Sequence, residues 1–354
     1  MYRNTCVYVN LSNLEYNVRT LIKRYEGYKY YFGVVKADCY GHYGMNPVDS
    51  IIKAGCNYLA VATLDEAIVI REQRPNLNIP ILCLGIIDLK YIDVCVKNNI
   101  TVTISNLEYV KKLESNDKLK VHIKVNSGMN RLGVNNSKDF NEVYKAIKDK
   151  SFILEGIYTH IYDASSEYNT MKQYQLFEEI TKDIDLSMIP IVHVGASEAT
   201  ELYEKRPYAN GCRLGIAMYG LIDYKNIEFK STFSLCSEVI QINEVQNGIV
   251  GYSGKYKVGN KKERIAVIPI GYADGIIRKN SGRTVFINNK EYEIVGNVCM
   301  DMLFVRVDES VKVGDKVEII KDIDHIKKIA KYLDTITYEV ICSIGKRVPR
   351  IYVK

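Results

Sequence analysis

The rhythm of apolar positions changes twice along the chain. Cys6 to Asn10 reads as a short strand, and from Ser12 to Lys23 the residues Leu14, Val18, Leu21 and Ile22 recur at helical spacing. From Tyr30 onward, short apolar runs alternate with longer periodic segments. The strand-length runs are Tyr30–Val35, Tyr58–Val61, Ile79–Leu84, Ile100–Ile104, Leu119–Val125, Ile153–His160, Ile189–Val194 and Gly211–Leu214. Between them, Asp65–Arg74, Asp88–Asn98, Asn106–Glu114, Lys138–Lys148 and Met171–Asp183 carry helical spacing. Strands alternating with helices predict a parallel sheet. Eight such units predict a (β/α)8 barrel of the TIM type. A doubly wound open sheet is the rival, but no Gly-x-Gly-x-x-Gly follows the first strand.

Near Asn226 the pattern shifts to β. Thr232–Val245 is a long run without helical spacing, and a loop with Gly248, Gly251 and Gly254 follows. Further strands are predicted at Arg264–Ile270, Arg283–Ile287, Glu291–Val295, Leu303–Val307 and Lys316–Ile320, with a hairpin signal at Asn288-Asn289. One helix, Ile326–Leu333, precedes closing strands near Val340 and Ile351. The expected organisation is an N-terminal strand over residues 1–10 packing with the C-terminal domain, a barrel over 11–226 and a mostly β domain over 227–354.

Composition changes this picture little. The 354 residues are 47% hydrophobic and 25% charged, ordinary for a globular protein. The net charge of +6 is scattered, with lysine runs no longer than pairs such as Lys111-Lys112, which argues against nucleic-acid binding. Nine cysteines without a Cys-x-x-Cys pair point to reduced thiols in the cytoplasm. No signal-peptide core is present, and no apolar stretch approaches the roughly 18 residues that span a bilayer. A soluble cytoplasmic protein is expected.

Candidate chemistry follows from placement on the barrel. Active sites of such barrels gather at the C-terminal ends of the strands. Lys36 stands at the end of the first strand, Arg131 in the loop after the fifth, and His160 at the end of the sixth. Ser197 follows the seventh, and Arg213 sits on the eighth. A lysine at the mouth of a buried strand loses hydration, which favours the neutral amine that a Schiff base needs.

Ordered strings then carry a resemblance. They are Val34-Val35-Lys36-Ala37-Asp38-Cys39-Tyr40-Gly41-His42, Lys124-Val125-Asn126-Ser127-Gly128-Met129-Asn130-Arg131-Leu132-Gly133, Thr159-His160 and Arg213-Leu214-Gly215-Ile216-Ala217-Met218-Tyr219-Gly220. In the second domain they are Val250-Gly251-Tyr252, Ile270-Gly271-Tyr272-Ala273-Asp274-Gly275, Val298-Cys299-Met300-Asp301 and Thr337-Tyr338-Glu339. In order and spacing the chain resembles the alanine racemases, which use pyridoxal 5'-phosphate. The resemblance implies that Lys36 carries the cofactor covalently and serves as one acid/base, with Tyr252 as the second from the opposite face. His160 and Arg213 would supply the cationic field, Arg213 beside the pyridine nitrogen where many such enzymes place a carboxylate. Tyr40, Ser197, the N–H groups of Gly215 and Ile216, and Tyr338 would hold the phosphate. Arg131 and the Met300 backbone would take the substrate carboxylate, and Tyr272 with Tyr338 would narrow the entrance. Lys124 matches a position carbamylated in many relatives; an ordinary buried lysine is the alternative. No metal site is expected.

The resemblance further implies a head-to-tail homodimer in which each site borrows Tyr252 from its partner, and a role in supplying D-alanine for peptidoglycan. Three positions depart from the family pattern: Asn126 where Asp is usual, Ala196 where Asn is common, and Met302 where Gln is common. They leave a racemase for serine or another small amino acid as the alternative. A decarboxylase of the same architecture is disfavoured by Arg213, and a non-catalytic pyridoxal-phosphate carrier by the second domain with Tyr252.

Overall fold

A computed structural model describes residues 2–354. Strand β1 (Cys6–Asn10) leads into helix α1 (Leu11–Arg24). The side chain of Asn10 accepts a hydrogen bond from Asn13 N at 2.8 Å. Asn10, not a residue near Ser12, therefore begins the helix, because its short carbonyl reaches an N–H that lacks an intrahelical partner.

The barrel comprises β2 (Tyr30–Val34), β3 (Tyr58–Val61), β4 (Ile81–Cys83), β5 (Ile100–Ile104), β6 (Lys120–Lys124), β7 (Ile153–Tyr158), β8 (Ile191–Ala196) and β9 (Gly211–Leu214). All pair in parallel in sequence order, and β9 closes on β2 through Tyr30↔Gly211. Helices cover the outside, so β3, β4 and β5 are buried at every position and read as continuous apolar runs. The interior is not wholly aliphatic. Phe32 stacks between Tyr58 and His193, with ring centroids 4.3 and 4.5 Å away.

The second domain adds β10 (Phe233–Glu238), β11 (Gln241–Val245), β12 (Gly248–Val250), β13 (Tyr256–Val258), β14 (Glu263–Ile268), β15 (Thr284–Ile287), β16 (Lys290–Val295), β17 (Leu303–Val307), β18 (Lys316–Ile320) and β19 (Arg350–Val353). A nine-stranded sheet runs β11-β14-β17-β16-β15-β18-β10-β1-β19, so β1 lies between β10 and β19. At the β15–β16 hairpin, Asn288 and Asn289 have φ of 52° and 62°, the left-handed pair that a two-residue turn requires.

Two expectations need correction. The run Thr232–Val245 splits at Val239-Ile240 into β10 and β11, because its halves pair with different neighbours, β18 and β14. The segment around Val340 is a helix, Thr337–Cys342, rather than a strand. Its backbone packs on the turn after β2 so closely that a Cβ on Gly41 would meet Ile341 O at 2.5 Å. No helix among the described residues is long and apolar enough to cross a membrane. All nine cysteines are unpaired.

Candidate functional site

A cavity of about 460 Å³ opens at the C-terminal ends of the barrel strands. It brings together Lys36, Lys124, Arg131, His160 and Arg213. Tyr40, Ser197, Gly215, Ile216 and Tyr338 also line it. Its lining holds four Lys or Arg side chains against one carboxylate, Glu198. Such a balance favours an anionic occupant.

Lys36 opens a turn of unusual hand. Ala37, Asp38, Cys39 and Tyr40 all have φ between 52° and 54°, a left-handed helical turn built without glycine. Each such residue costs roughly 1–2 kcal/mol, so local bonds must hold the turn. Ala37 N donates to Glu66 Oε1 at 2.7 Å, Cys39 N to Val35 O at 3.0 Å and Tyr43 N to Asp38 O at 2.8 Å. His42, fully buried, bonds Cys39 O through Nδ1 at 2.9 Å and Thr232 Oγ1 through Nε2 at 2.8 Å. His42 is thus a structural pin between turn and second domain, and burial pulls its pKa down to about 4. The result aims both Lys36 and Tyr40 into the cavity. Burial, then the nearby Arg131 charge, lower the proton affinity of Lys36, the direction that favours a nucleophilic amine.

Arg213 is 3% exposed, yet among the described residues no carboxylate pairs with it. Its Nη1 donates to His193 Nδ1 at 2.8 Å and His193 O at 2.9 Å. Its Nη2 donates to Thr159 O at 2.8 Å and lies 3.3 Å from His160 Nδ1. Burial lowers its pKa to about 10, which leaves it charged at neutral pH. Among the described residues Nε makes no hydrogen bond, so one donor remains for an occupant. Burial, then Arg213 and Lys124, push His160 well below its usual range, and the imidazole is neutral.

Lys124, 5% exposed, donates to Val125 O at 3.3 Å and lies 5.0 Å from the centre of the Tyr158 ring. Burial and the charges of Arg213 and Arg131 depress its pKa strongly. The departure at Asn126 has a physical account. Its carbonyl accepts from Gly128 N and Asn130 N, while its amide donates to Asn130 Oδ1 and Asn135 Oδ1 at 3.0 and 2.7 Å. A carboxylate could accept the first pair but not donate the second. Asn126 thereby shapes the loop that presents Arg131. Ala196 lines the cavity beside Ser197. Nothing in the structure explains Met302.

In the same lining, Ser197 Oγ accepts from Gly215 N at 3.1 Å and keeps its own proton to donate. A Cβ on Gly215 would come 3.3 Å from Tyr40 Oη and 3.6 Å from Ser197 Oγ. The glycine therefore leaves a small cradle bounded by two hydroxyls and backbone N–H groups.

Tyr252, Tyr272 and Met300 are not part of this cavity. They are 70%, 42% and 53% exposed on the second domain. One loop ties them together: Asn297 Nδ2 donates to Tyr252 O at 2.9 Å, Tyr272 N to Cys299 O at 3.0 Å and Ala273 N to Met300 O at 3.0 Å. Asp274, buried and paired with Arg3 at 2.8 Å, anchors the Tyr272 turn.

Sequence reasoning passed over Glu66, which satisfies the Lys36 turn, and His193, His122 and Glu155 in the barrel interior. The available signal was a polar residue inside a strand buried on both faces, where such a group must have a partner.

Comparison with known proteins adds the last step. The alanine racemase N-terminal domain family matches residues 9–223, and the alanine racemase C-terminal domain family matches residues 232–352. An alanine racemase of Halalkalibacterium halodurans is 35% identical, covering 99% of this chain and 95% of its own. The crystal structure of alanine racemase from Bacillus anthracis with bound L-Ala-P superposes with a TM-score of 0.92 at 33% identity, covering 100% of this chain and 96% of that one. Alanine racemase from E. faecalis gives 0.93 at 32% identity, covering 99% of each. With both domains matched in order and the barrel-mouth cluster assembled, the chain belongs to the alanine racemase family of amino-acid racemases.

Proposed function

We propose that the protein interconverts L- and D-alanine with pyridoxal 5'-phosphate, using Lys36 and a Tyr252 from a second copy as its two bases. The observation that carries this reading is the cavity itself, whose lining joins a lysine of lowered proton affinity, a cluster of cations and a cradle edged by two hydroxyls.

The donor set fits the cofactor. Tyr40, Ser197, Gly215 N, Ile216 N and Tyr338 would hold its phosphate, and Lys36 would bind its aldehyde carbon. Arg213, through the donor left on Nε, would face its ring nitrogen. Bound there, the cofactor withdraws electrons from the substrate's Cα and so acidifies the α-proton. Arg213 cannot readily give up a proton, so it keeps that withdrawal moderate and favours prompt return of the proton to Cα. Lys36 would take or give the proton on one face, and Tyr252 on the other. Neutral His160 with charged Arg213 would polarise the tyrosine hydroxyl. Arg131 and the Met300 backbone would hold the substrate carboxylate, with Tyr272 and Tyr338 limiting side-chain size. Lys124 would be open to carbamylation, since a depressed proton affinity leaves an amine able to attack carbon dioxide, and a carbamate would give Arg131 and Arg213 a negative neighbour.

A homodimer follows from the same proposal, because Tyr252, Tyr272 and Met300 face outward from the second domain of their own chain. The protein would act in the cytoplasm and supply D-alanine for peptidoglycan. Two experiments test the reading. Racemisation rates for alanine and serine, measured side by side, must favour alanine; a serine preference would move the assignment to the alternative. Mixing inactive Lys36→Ala and Tyr252→Phe chains should restore about a quarter of wild-type activity, since half of the dimers are hybrids with one complete site each. Hybrids without activity, from parents that fold and dimerise, would rule out the shared site.

A further inference from the structure

Beneath the cavity, a file of polar side chains runs through the barrel interior. Arg213 Nη1 meets His193 Nδ1 at 2.8 Å. His193 Nε2 meets His122 Nδ1 at 3.0 Å. His122 Nε2 makes no hydrogen bond among the described residues but lies 3.5 Å from Glu155 Oε2, within ion-pair range, and Glu155 Oε2 accepts from Tyr58 Oη at 2.5 Å and Thr101 Oγ1 at 2.8 Å. His122 and His193 are fully buried, while the Glu155 side chain is 17% exposed.

The backbone goes out of its way to build this file. Pairing between β6 and β7 shifts register so that Val121 faces Leu154 and His122 faces Gly156, which leaves Glu155 as the extra residue of a bulge. A bulge re-aims a side chain, and here it turns Glu155 toward the interior. Gly156 makes room for the imidazole, because a Cβ there would stand 2.5 Å from His122 Cε1.

The chemistry of the end groups gives the file a direction. A guanidinium only donates, so His193 Nδ1 must accept and its proton must sit on Nε2. That proton goes to His122 Nδ1, which places the His122 proton on Nε2, facing a carboxylate that only accepts. Burial holds both imidazoles neutral. Although burial alone would raise Glu155, the facing His122 ring and the hydroxyl bonds from Tyr58 and Thr101 hold it at about 2, so it is ionised. An arginine charge at the pocket is thus matched, through two neutral rings, by a carboxylate at the far end.

We propose that Glu155 is a positioning residue for racemisation: its charge, facing the His122 Nε2 proton, sustains the hydrogen-bond direction that Arg213 sets in His193 and His122, and so holds the guanidinium in place under the pocket. This rests on the proposed role of Arg213 but can be tested apart from it. The same fixed donor reaches His160 Nδ1, so the file also sets which His160 nitrogen carries the proton.

The test reads histidine tautomers by 15N NMR in cofactor-free protein, whose five histidines are few enough to assign by single replacements. Wild type should show His193 and His122 protonated on Nε2. Glu155→Gln, which still offers an acceptor, should keep that pattern. Tyr58→Phe, which removes a bond to Glu155 but leaves the file intact, should keep it too. Glu155→Leu, which leaves the His122 Nε2 proton facing an apolar side chain, should move that proton to Nδ1 and break the bond from His193, and in the loaded enzyme its kcat should fall about 100-fold with KM within about twofold. A proton on His193 Nδ1 in wild type would overturn the file, even if Glu155→Leu fails to fold. Correct tautomers that vanish in a folded Glu155→Leu whose kcat stays within about twofold would overturn the positioning role. A racemase inactive on alanine but with the stated tautomers would instead count against the proposed function.

Discussion

Lys124 and Arg213 at the barrel mouth are 5% and 3% exposed, whereas Tyr252, Met300 and Tyr272 of the second domain are 70%, 53% and 42% exposed. The first group is electrostatically preset. Burial and mutual repulsion lower the proton affinity of Lys36, Lys124 and His160 before any ligand arrives. The second group is set only in position: bonds from the Asn297 side chain and from the Tyr272 and Ala273 backbone fix its loops, and among the described residues its side chains make no ion pair or hydrogen bond to a cation of their own barrel. The contrast divides the labour. The barrel supplies charge and burial, which are costly to build, and in the proposed dimer the second domain would supply groups that gain their environment on assembly.

The largest expected effect comes from breaking the preset side. Lys36→Ala should lower racemisation by at least about 10³-fold, with a thermal midpoint near wild type, because Glu66, Val35 and His42 rather than Lys36 hold the turn. Racemisation assays paired with thermal melts check this; retained activity would place the chemistry on another residue. Tyr252→Phe should cost about 10²-fold in kcat and nothing measurable in the melting of the folded chain, since the hydroxyl makes no bond within its own chain among the described residues. A marked loss of stability would make Tyr252 a structural residue instead.

The turn's pin gives a smaller, pH-dependent effect. The unfolded chain protonates His42 near pH 6.5, the folded chain only near pH 4. As pH falls, the unfolded state gains that proton first, so the contribution of His42 is complete above about pH 6.5 and is lost toward pH 4. Its full size is about 3 kcal/mol. Urea unfolding of wild type and His42→Gln at pH 7 and about pH 4.5 should give a shallower acid loss in the variant, though a lower stability at pH 7. Equal slopes would mean that His42 does not carry the dependence. The smallest effect is Asn126→Asp, which removes two donors to Asn130 and Asn135. It should cost about 1 kcal/mol, seen as a severalfold rise in KM through Arg131 with kcat little changed. A change in kcat alone would contradict a role through the loop.

By itself, the sequence determined the eight barrel strands, the change to a β domain and the positions of Lys36, Arg131, His160, Ser197 and Arg213 at one end. All of these rest on local periodicity, where burial on both faces makes strands read as apolar runs. Tertiary structure alone decided what depends on distant partners. Thr232–Val245 breaks because its halves pair with different strands, and the Val340 segment is helical because it packs on the Gly41 turn. Four successive left-handed residues could not be anticipated from Ala37-Asp38-Cys39-Tyr40, since only bonds from Glu66 and His42 make that conformation affordable. The inward turn of Glu155 is likewise invisible along the chain. It follows from a one-residue bulge, and a shift of one residue moves a side chain to the other face of a strand.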